Sequence, residues 1–417
     1  MTQAKSRLHF GFRISDFGFQ SPIRIPQSAI LLLLLLAAPA VLAARALTVD
    51  GEAIQGDLVA IDGTPAVELR VGGAARRIPC ADLQAIELRA AEPSPAREST
   101  ALVLRNGDRL LGTIQGGSGR VVAVKSPLFG AAEIPLQALA RIELPAPQPS
   151  QPFQASEKLD RLLFRNSETL DGTIESVEPT GLKFRSDLLG QVDVQFDRLA
   201  TIALAGQAGA APKPPEEGVH AIIHAADGTV VTGQLKGLRD GKLELQAHFG
   251  APLALGLDSL LRIEFRGGRL VYLSDLEPAE VKETPMFDLV WHYRRDRSVD
   301  GNPLCLRGRV YRKGLGVHSR CELTYDLGGA YRRFLSDVGI DKEEKGKDEL
   351  REDGNVDVKV LVDGKVRFER NGLTARDGPV PIDVDLTGAT RLTLLVDFGE
   401  KLDICDHADW AAARLIR

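Results

Sequence analysis

The N-terminal part of the chain repeats one pattern of hydrophobic and polar positions four times. In each copy a short apolar run precedes a polar turn, a glycine follows the turn, and apolar and polar residues then alternate. Such alternation predicts strands with one buried face, and the turn residues between them predict hairpins. The glycines that mark the four copies are Gly56, Gly112, Gly172 and Gly233. The pattern therefore predicts four related β units.

The spacing within the unit is constant. A leucine follows each glycine after 27 positions and an isoleucine after 30, as Leu83 and Ile86, Leu139 and Ile142, Leu199 and Ile202, and Leu260 and Ile263. A unit of about 42 residues with four or five short strands predicts a small curled sheet or barrel. The pattern loosely resembles Sm-like and SH3-like barrels. We place the units at residues 47–89, 101–144, 161–204 and 220–266.

Three segments rich in proline and alanine separate the units, at residues 91–100, 145–156 and 205–219. Because such stretches stay extended and solvated, they predict units that behave as separate beads or as loosely stacked modules. The copies share no cluster of His, Cys or carboxylate side chains that would indicate chemistry. Two roles stay open: a stalk or spacer, and a set of weak contacts to an envelope protein partner that multiply through effective concentration.

The pattern changes from Leu270 onward, where both tryptophans of the chain are found. Short alternating runs again predict strands, and Asp363-Gly364 is a strong hairpin signal between two of them. With 41 glycines and only 5% aromatic residues, the whole composition suits many short strands joined by tight turns. The sequence therefore predicts an all-β protein.

Five motifs of the C-terminal part occur in a fixed order: KGLGVHS at 313–319, LTYDLGG at 323–329, VGID at 338–341, VLVDG at 360–364 and DHADWA at 406–411. Together they resemble the NPCBM family. The resemblance implies a jelly-roll β-sandwich over residues 268–417, similar to galactose-binding-like modules, which binds carbohydrate and performs no catalysis. Residues 341–353 depart from the family pattern, because this segment is longer and more mixed in charge than the family's short acidic loop.

Charge and cysteine content narrow the classes of partner. A net charge of −5 and a pI near 5.9 disfavour nucleic acid, whose phosphates demand a clustered excess of Lys and Arg. None of the four cysteines, Cys80, Cys305, Cys321 and Cys405, forms a CxxC pair, so a thiolate zinc site has no support. One disulfide among the last three and buried thiols both stay open.

Residues 29–43 form an apolar run preceded by arginines and followed by small residues, which is typical of a secretory signal. We therefore expect residues 1–46 to be an export signal with a long leading segment, cleaved after Ala43 or after Ala46. An uncleaved anchor is the alternative. The expected location is secreted, periplasmic or in the cell envelope.

Sugar binding needs an aromatic face against the apolar side of the pyranose ring and polar partners for the hydroxyls. Trp291, Trp410, His318 and His407 are side chains of this kind in the C-terminal part. For each of them a structural role is the alternative, because Trp410 in a terminal strand can fill a core and His318 can bond a backbone carbonyl.

Asp341, Asp406 and Asp409 are the candidate ligands for a structural Ca²⁺, a hard cation that takes six to eight oxygens. No other cofactor is expected.

The leading functional hypothesis is an exported carbohydrate-binding or cell-envelope binding protein without catalysis of its own. The C-terminal sandwich recognises a glycan or polysaccharide, and the repeats act as spacer or interaction modules. The alternative is a structural or protein-interaction surface protein without sugar affinity. A hydrolytic protein with a site around His407 and Ser319 is the third hypothesis, and it lacks an identified acid and base pair.

Overall fold

A computed structural model describes residues 42–62, 66–88, 99–147, 153–206, 218–286, 289–341, 354–400 and 402–417. Residues 1–41 of the predicted export signal lie outside the described residues, and so do residues 342–353 of the long segment after the VGID motif. None of the helices in the described part has the length and apolar character needed to cross a bilayer. The described elements are strands and single 3₁₀ turns, which confirms the all-β prediction.

Each repeat consists of five strands, with a 3₁₀ turn between the fourth and the fifth. Repeat 1 contains β1 (Leu42–Thr48), β2 (Ala53–Ile61), β3 (Ala66–Val71), β4 (Ala74–Pro79), the turn Cys80–Asp82 and β5 (Leu83–Leu88). Repeat 2 contains β6 (Thr100–Leu104), β7 (Arg109–Ser118), β8 (Val121–Ser126), β9 (Gly130–Pro135), the turn Leu136–Ala138 and β10 (Leu139–Glu143).

Repeats 3 and 4 follow the same order. Repeat 3 contains β11 (Asp160–Phe164), β12 (Thr169–Glu178), β13 (Gly181–Ser186), β14 (Gly190–Gln195), the turn Phe196–Arg198 and β15 (Leu199–Ala203). Repeat 4 contains β16 (His220–Ala225), β17 (Val230–Arg239), β18 (Lys242–Ala247), β19 (Pro252–Gly256), the turn Leu257–Ser259 and β20 (Leu260–Arg266).

The recurring glycine lies in the long second strand of each repeat, where that strand bends to pair with both neighbours. A Cβ atom at Gly172 would lie 2.1 Å from the backbone oxygen of Arg185, and one at Gly233 would lie 2.3 Å from that of Gln246. The register of the long strand shifts a few residues further on, between Ile174 and Ser176 in repeat 3. The glycine is therefore required by the close approach of two backbones at the bend.

The recurring isoleucine lies where two repeats pair edge to edge. Strand β5 of repeat 1 pairs antiparallel with β20 of repeat 4, and Ile86 lies opposite Ile263. Strand β10 of repeat 2 pairs in the same way with β15 of repeat 3, and Ile142 lies opposite Ile202. The prediction of separate beads or loosely stacked modules is wrong, because hydrogen-bonded strands and a shared core join the repeats.

A third contact joins the two pairs of repeats. Both carboxylate oxygens of Asp108 in repeat 2 accept hydrogen bonds from Thr232 in repeat 4, from its backbone N at 2.9 Å and from its Oγ1 at 2.6 Å. Arg109 and Val230 pair in register beside this contact. The order of neighbouring repeats is therefore 3, 2, 4, 1, which differs from their order in the chain.

The C-terminal part is a sandwich of two antiparallel sheets. One sheet has the order β23-β26-β33-β28-β31 with β21 beside β33, and the other has the order β22-β27-β32-β29-β30. The strands of the first sheet are β21 (Leu270–Tyr272), β23 (Arg294–Arg295), β26 (Gly314–His318), β28 (Arg333–Ile340), β31 (Val380–Asp385) and β33 (His407–Ile416). Those of the second are β22 (Glu280–Glu283), β27 (Cys321–Asp326), β29 (Asn355–Val362), β30 (Lys365–Thr374) and β32 (Arg391–Phe398). A hairpin of β24 (Leu304–Leu306) and β25 (Arg309–Tyr311) and the turn Leu273–Asp275 complete it.

The sandwich packs directly against repeat 1. Val49 of repeat 1 is buried in a small apolar cluster with Tyr272, Leu335 and two other sandwich residues. Polar contacts surround the cluster, among them the ion pair of Arg333 with Asp50, at 3.2 Å between Nη1 and Oδ1. The repeats therefore hold the sandwich in a fixed position.

Two cysteines of the core form no disulfide in the structure. Cys80 in repeat 1 and Cys321 in the sandwich are buried free thiols. Burial raises the pKa of Cys80 to about 12, and it raises the pKa of Cys321 as well. Both groups therefore serve as small apolar side chains at neutral pH.

Candidate functional site

Three rings meet at one end of the first sheet of the sandwich. The rings of Trp291 and His318 stack at 5.5 Å between centroids with 15° between their planes. The ring of His407 lies 5.3 Å from each of them. The structure thus brings together three of the four residues that the sequence predicts for ligand binding. We call these three side chains the ring cluster.

Strand pairing places the members of the ring cluster. His318 ends β26 and lies directly opposite His407, the first residue of β33. Trp291 comes shortly before β23, the edge strand that pairs with β26. Trp291 and His407 are partly exposed, whereas His318 is buried at 7% exposure. The cluster is therefore a surface feature with His318 as its inner member.

Hydrogen bonds fix the two imidazoles. The Nδ1 of His318 lies 2.9 Å from the backbone oxygen of Ser319, and the Nδ1 of His407 lies 3.0 Å from Oδ2 of Asp300. Each Nδ1 therefore donates a hydrogen bond, and both rings have a fixed orientation. Burial lowers the pKa of His318, so its ring is neutral at pH 7. The site combines an indole with imidazoles of fixed orientation.

Trp410 lies outside the ring cluster. Its side chain is 1% exposed and belongs to the core between the two sheets. On β33 it lies opposite Leu315 and Val338 of the neighbouring strands, on the interior face. The expectation that Trp410 offers a ring to a ligand is corrected here, because a ligand cannot reach a side chain enclosed by both sheets.

Asp406 is buried at 0% exposure behind the ring cluster. Its Oδ2 accepts a hydrogen bond of 2.6 Å from Ser319 Oγ, and its Oδ1 accepts one of 2.9 Å from the backbone N of Asn355. Burial raises the pKa of this carboxyl to about 6, although both hydrogen bonds act in the opposite direction. Asp406 therefore joins β29 to the start of β33. The same bond engages the hydroxyl of Ser319, the residue considered for a hydrolytic site.

The other two candidate metal ligands lie together. Asp341 and Asp409 are both 0% exposed, and one oxygen of each lies near the backbone N of Cys305, at 3.1 Å and 3.2 Å. Among the residues that the structure describes, no group of three or more His, Cys, Asp or Glu side chains is arranged to hold a metal ion. A Ca²⁺ site of Asp341, Asp406 and Asp409 therefore stays a prediction without geometric support, since Asp406 is engaged elsewhere.

Sequence reasoning missed Asp300 and Asp403. Asp300 lies in a DGN turn, and such turns are common on any surface, so its contact with His407 had no signal in the sequence. Asp403 acts on His318 through its charge, which raises the pKa of the ring against the larger effect of burial. Both acids lie in loops that only the tertiary fold brings to the ring cluster.

The C-terminal part matches a known family and one curated protein. Residues 269–416 match the model of the NPCBM/NEW2 domain. A "Putative endo-alpha-N-acetylgalactosaminidase" of Renibacterium salmoninarum is 31% identical over 117 residues. This match covers 28% of the present chain and only 7% of the relative, so the chain spans a small part of that protein's length.

Two solved structures are similar to the chain. The first is CBM51 from Clostridium perfringens GH95 in complex with methyl-galactose, with 27% identity, 35% of this chain and 99% of that chain covered, and a TM-score of 0.31. The second contains CBM51-2, in complex with GlcNAc, and the INT domains from Clostridium perfringens ZmpB. Its identity is 23%, the match covers 45% of this chain and 44% of that chain, and the TM-score is 0.32. Because they match the model of this family, residues 269–416 of this chain are an NPCBM domain.

Proposed function

We propose that the NPCBM domain binds a carbohydrate at the ring cluster and has no catalytic activity of its own. The observation that carries the proposal is the partly exposed Trp291 beside two hydrogen-bonded imidazoles. His318 covers one face of the indole, so a pyranose ring would pack on the part of Trp291 that remains exposed. The family match supports the same ligand class.

The polar members of the site suit hydroxyl groups. The ring of His407 is partly exposed beside Trp291 and is held by Asp300 at its Nδ1, which places a polar ring edge where sugar hydroxyls would lie. The Asp300 side chain is 20% exposed, which leaves it within reach of solvent and of a ligand. A carboxylate accepts charge-assisted hydrogen bonds from hydroxyls, and these fix the orientation of a sugar more than they add affinity.

Exposed apolar side chains border the loops that carry the site. Leu289, two residues before Trp291, is 65% exposed, and Leu402 and Ile404 are 49% and 54% exposed shortly before His407. Exposed apolar residues grouped around a polar centre are typical of binding surfaces. They support a binding role at this end of the sandwich.

The proposed place of action is outside the cytoplasm, through the export signal expected at residues 1–46. The four repeats then serve as a base of fixed geometry, because their edge strands pair and the sandwich packs on repeat 1. A flexible stalk does not agree with this arrangement. Interaction of the repeats with an envelope protein remains part of the proposal.

The test is a glycan array with the full-length chain, followed by titration calorimetry with methyl galactosides and GlcNAc. Trp291→Ala removes an aromatic contact of about 2 kcal/mol, so affinity should fall about thirtyfold. His407→Ala should weaken binding as well. The matched control is His292→Ala, because its ring is next in the chain, 82% exposed and outside the cluster.

Two outcomes contradict the proposed binding site, and a third contradicts the absence of catalysis. One is that no polysaccharide or glycan on the array retains the folded chain. The other is that a ligand binds but Trp291→Ala and His292→Ala have equal affinity, which would place the binding site elsewhere. Turnover of a glycan that disappears in His407→Ala would contradict the absence of catalysis.

A further inference from the structure

A cleft of about 680 Å³ lies where the sandwich meets repeats 1 and 4. Strands of repeat 1, strand β20 of repeat 4 and the hairpin of β24 and β25 contribute to its walls. The cleft lies toward the opposite end of β26 and β33 from the ring cluster, because Lys313 and Arg414 line it while His318 and His407 form the cluster. A ligand in one place would therefore leave the other accessible.

The cleft is cationic in a chain that is acidic overall. Eight Arg or Lys side chains line it against five Asp or Glu side chains, whereas the whole chain has a net charge of −5. A concave surface with one sign of charge in excess concentrates ligands of the opposite sign. Lys313 is paired with Asp275 and Asp296, which lie outside the lining. The other seven cations still outnumber the five carboxylates, so the cleft favours an anionic ligand.

The carboxylates of the cleft are shared among several cations. Glu264 is contacted by Arg262, Arg266 and Arg312 at 3.0, 3.1 and 3.3 Å. Burial pushes the pKa of Glu264 upward, but a hydrogen bond with His224 and the charges of Arg266 and Arg262 hold it well below its usual range. Glu264 is therefore ionised at every physiological pH, and its single charge is divided among three guanidinium groups.

Arg414 is the cation of the cleft that lacks a carboxylate. Within the described part of the chain, its Nη1 donates to the backbone oxygen of Ala412 at 3.0 Å, and its Nε is buried without a hydrogen-bond partner. Burial lowers the pKa of Arg414. Tyr272 and the carboxylate of Asp337 oppose this effect, and the charges of Arg333 and Arg309 add to it. A buried guanidinium donor without an acceptor costs free energy that an incoming anion would recover.

We propose that this cleft binds the carboxylate or sulfate group of an acidic saccharide, with Arg414 at its floor and Arg309 and Arg312 at its rim. The choice of a saccharide rests on the proposed function of the ring cluster. A cleft of about 680 Å³ has the size of known small-ligand sites and accepts one or two sugar units. Arg binds carboxylates and sulfates through paired N–H donors, which suits both groups.

The rim arginines provide the main test. The side chains of Arg309 and Arg312 are 70% and 61% exposed, so their replacement should leave the fold intact. Binding of the full-length chain to a heparin hexasaccharide and to an oligogalacturonate is measured by calorimetry. Arg309→Ser with Arg312→Ser should weaken binding at least tenfold. Arg414→Gln should weaken it as well. The oligogalacturonate carries carboxylates alone and heparin carries both groups, so binding of heparin only would indicate that the cleft requires sulfate.

The matched control is Arg370→Ser with Arg391→Ser. It removes two positive charges from exposed ion pairs of the second sheet, at 47% and 58% side-chain exposure, and should leave affinity unchanged. Trp291→Ala should weaken binding of neutral galactosides about thirtyfold and leave acidic oligosaccharide binding intact. Failure of the cleft proposal is thereby distinguished from failure of the ring cluster.

Three results would overturn the proposal. The first is that neither acidic oligosaccharide binds or raises the melting temperature at millimolar concentration. The second is that the rim variant and the control variant bind equally well. The third is that a single-stranded DNA oligonucleotide of equal charge binds as tightly as the saccharides, which would make the cleft a general polyanion site.

Discussion

Asp406 shows how the surroundings of one side chain set its protonation. The carboxyl is fully buried between the sheets and receives only two hydrogen bonds, so burial dominates and its pKa rises to about 6. The sequence offered Asp406 as a metal ligand, since an acid in a loop has the right chemistry. Its bonds to Ser319 and Asn355 indicate a structural role instead.

Asp406 should make the chain less stable as pH rises from about 4 to 6. The folded state binds the proton more tightly than the unfolded state, whose Asp pKa is near 3.8. The free energy of unfolding that this proton adds is therefore complete below pH 3.8 and is lost above about pH 6. The change amounts to about 3 kcal/mol. Urea unfolding of wild type and Asp406→Asn between pH 4 and 7 measures it. A constant difference between the two proteins would contradict the prediction.

Gly172 should tolerate no side chain. An added Cβ would lie 2.1 Å from a backbone oxygen, so Gly172→Ala forces the two strands apart and should cost about 3 kcal/mol of unfolding free energy. Gly378→Ala is the control, because the nearest atom to its Cβ is a flexible guanidinium nitrogen at 3.9 Å. Denaturant midpoints of the two variants check the prediction, and equal midpoints would contradict it.

At the scale of elements, the sequence predicted the strands of the repeats more fully than their partners. The constant positions of Gly172 and Ile202 in repeat 3, and of their equivalents, are visible without a structure. The pairing of β10 with β15 cannot be predicted from the sequence, because every repeat has the same edge strand and the pattern does not distinguish between similar partners. The proline-rich linkers predicted independent repeats, but the edge strands of the repeats pair with one another.

The same limit applies to the candidate site. His318 and His407 could be predicted because each lies in a distinctive motif at the end of a strand. Trp410 is in the same motif as His407 but three residues further along β33, where alternation turns its side chain into the core. Residue type identified the candidates, and only strand register could separate exposed rings from buried ones.

Ile86 and Ile263 should be energetically coupled if repeats 1 and 4 pair in solution. Each Ile→Val change removes one buried methylene and should cost about 1 kcal/mol. Because the side chains lie opposite each other in the interface, the double variant should depart from additivity by about 0.5 kcal/mol or more. Urea unfolding of the single and double variants gives the coupling. Ile86 with Ile202, which lie in different interfaces, should be additive.

At the scale of the whole molecule, the repeats and the sandwich form one structure. Contacts from both repeats 1 and 4 reach the sandwich, through Asp50 with Arg333 and through Glu264 with Arg312. The packing of the sandwich against repeats 1 and 4 forms the cationic cleft, since neither the repeats nor the sandwich alone contain all of its walls. The sequence divided the chain at residue 268 and gave no sign of this surface.

Strand β1 bears on the expected removal of the export signal. It begins at Leu42 and pairs with both β2 and β5, and Ala44 and Ala46 are buried. Cleavage after Ala46 would remove most of this strand, whereas cleavage after Ala43 would leave all of the part that pairs with β5. We expect the mature chain to begin at Ala44. N-terminal sequencing of exported protein tests this, and a start at Leu47 would contradict it.

The nested pairing of the repeats has a consequence for the order of folding. A chain that emerges from its N-terminus presents repeat 1 long before repeat 4, so β5 must wait for β20 while repeats 2 and 3 are already able to close on each other. During that interval repeat 1 exposes an unsatisfied sheet edge with Ile86 at its centre. Another nascent copy could supply the missing strand at high expression, and the resulting misassembly would be an exchange of repeats between chains.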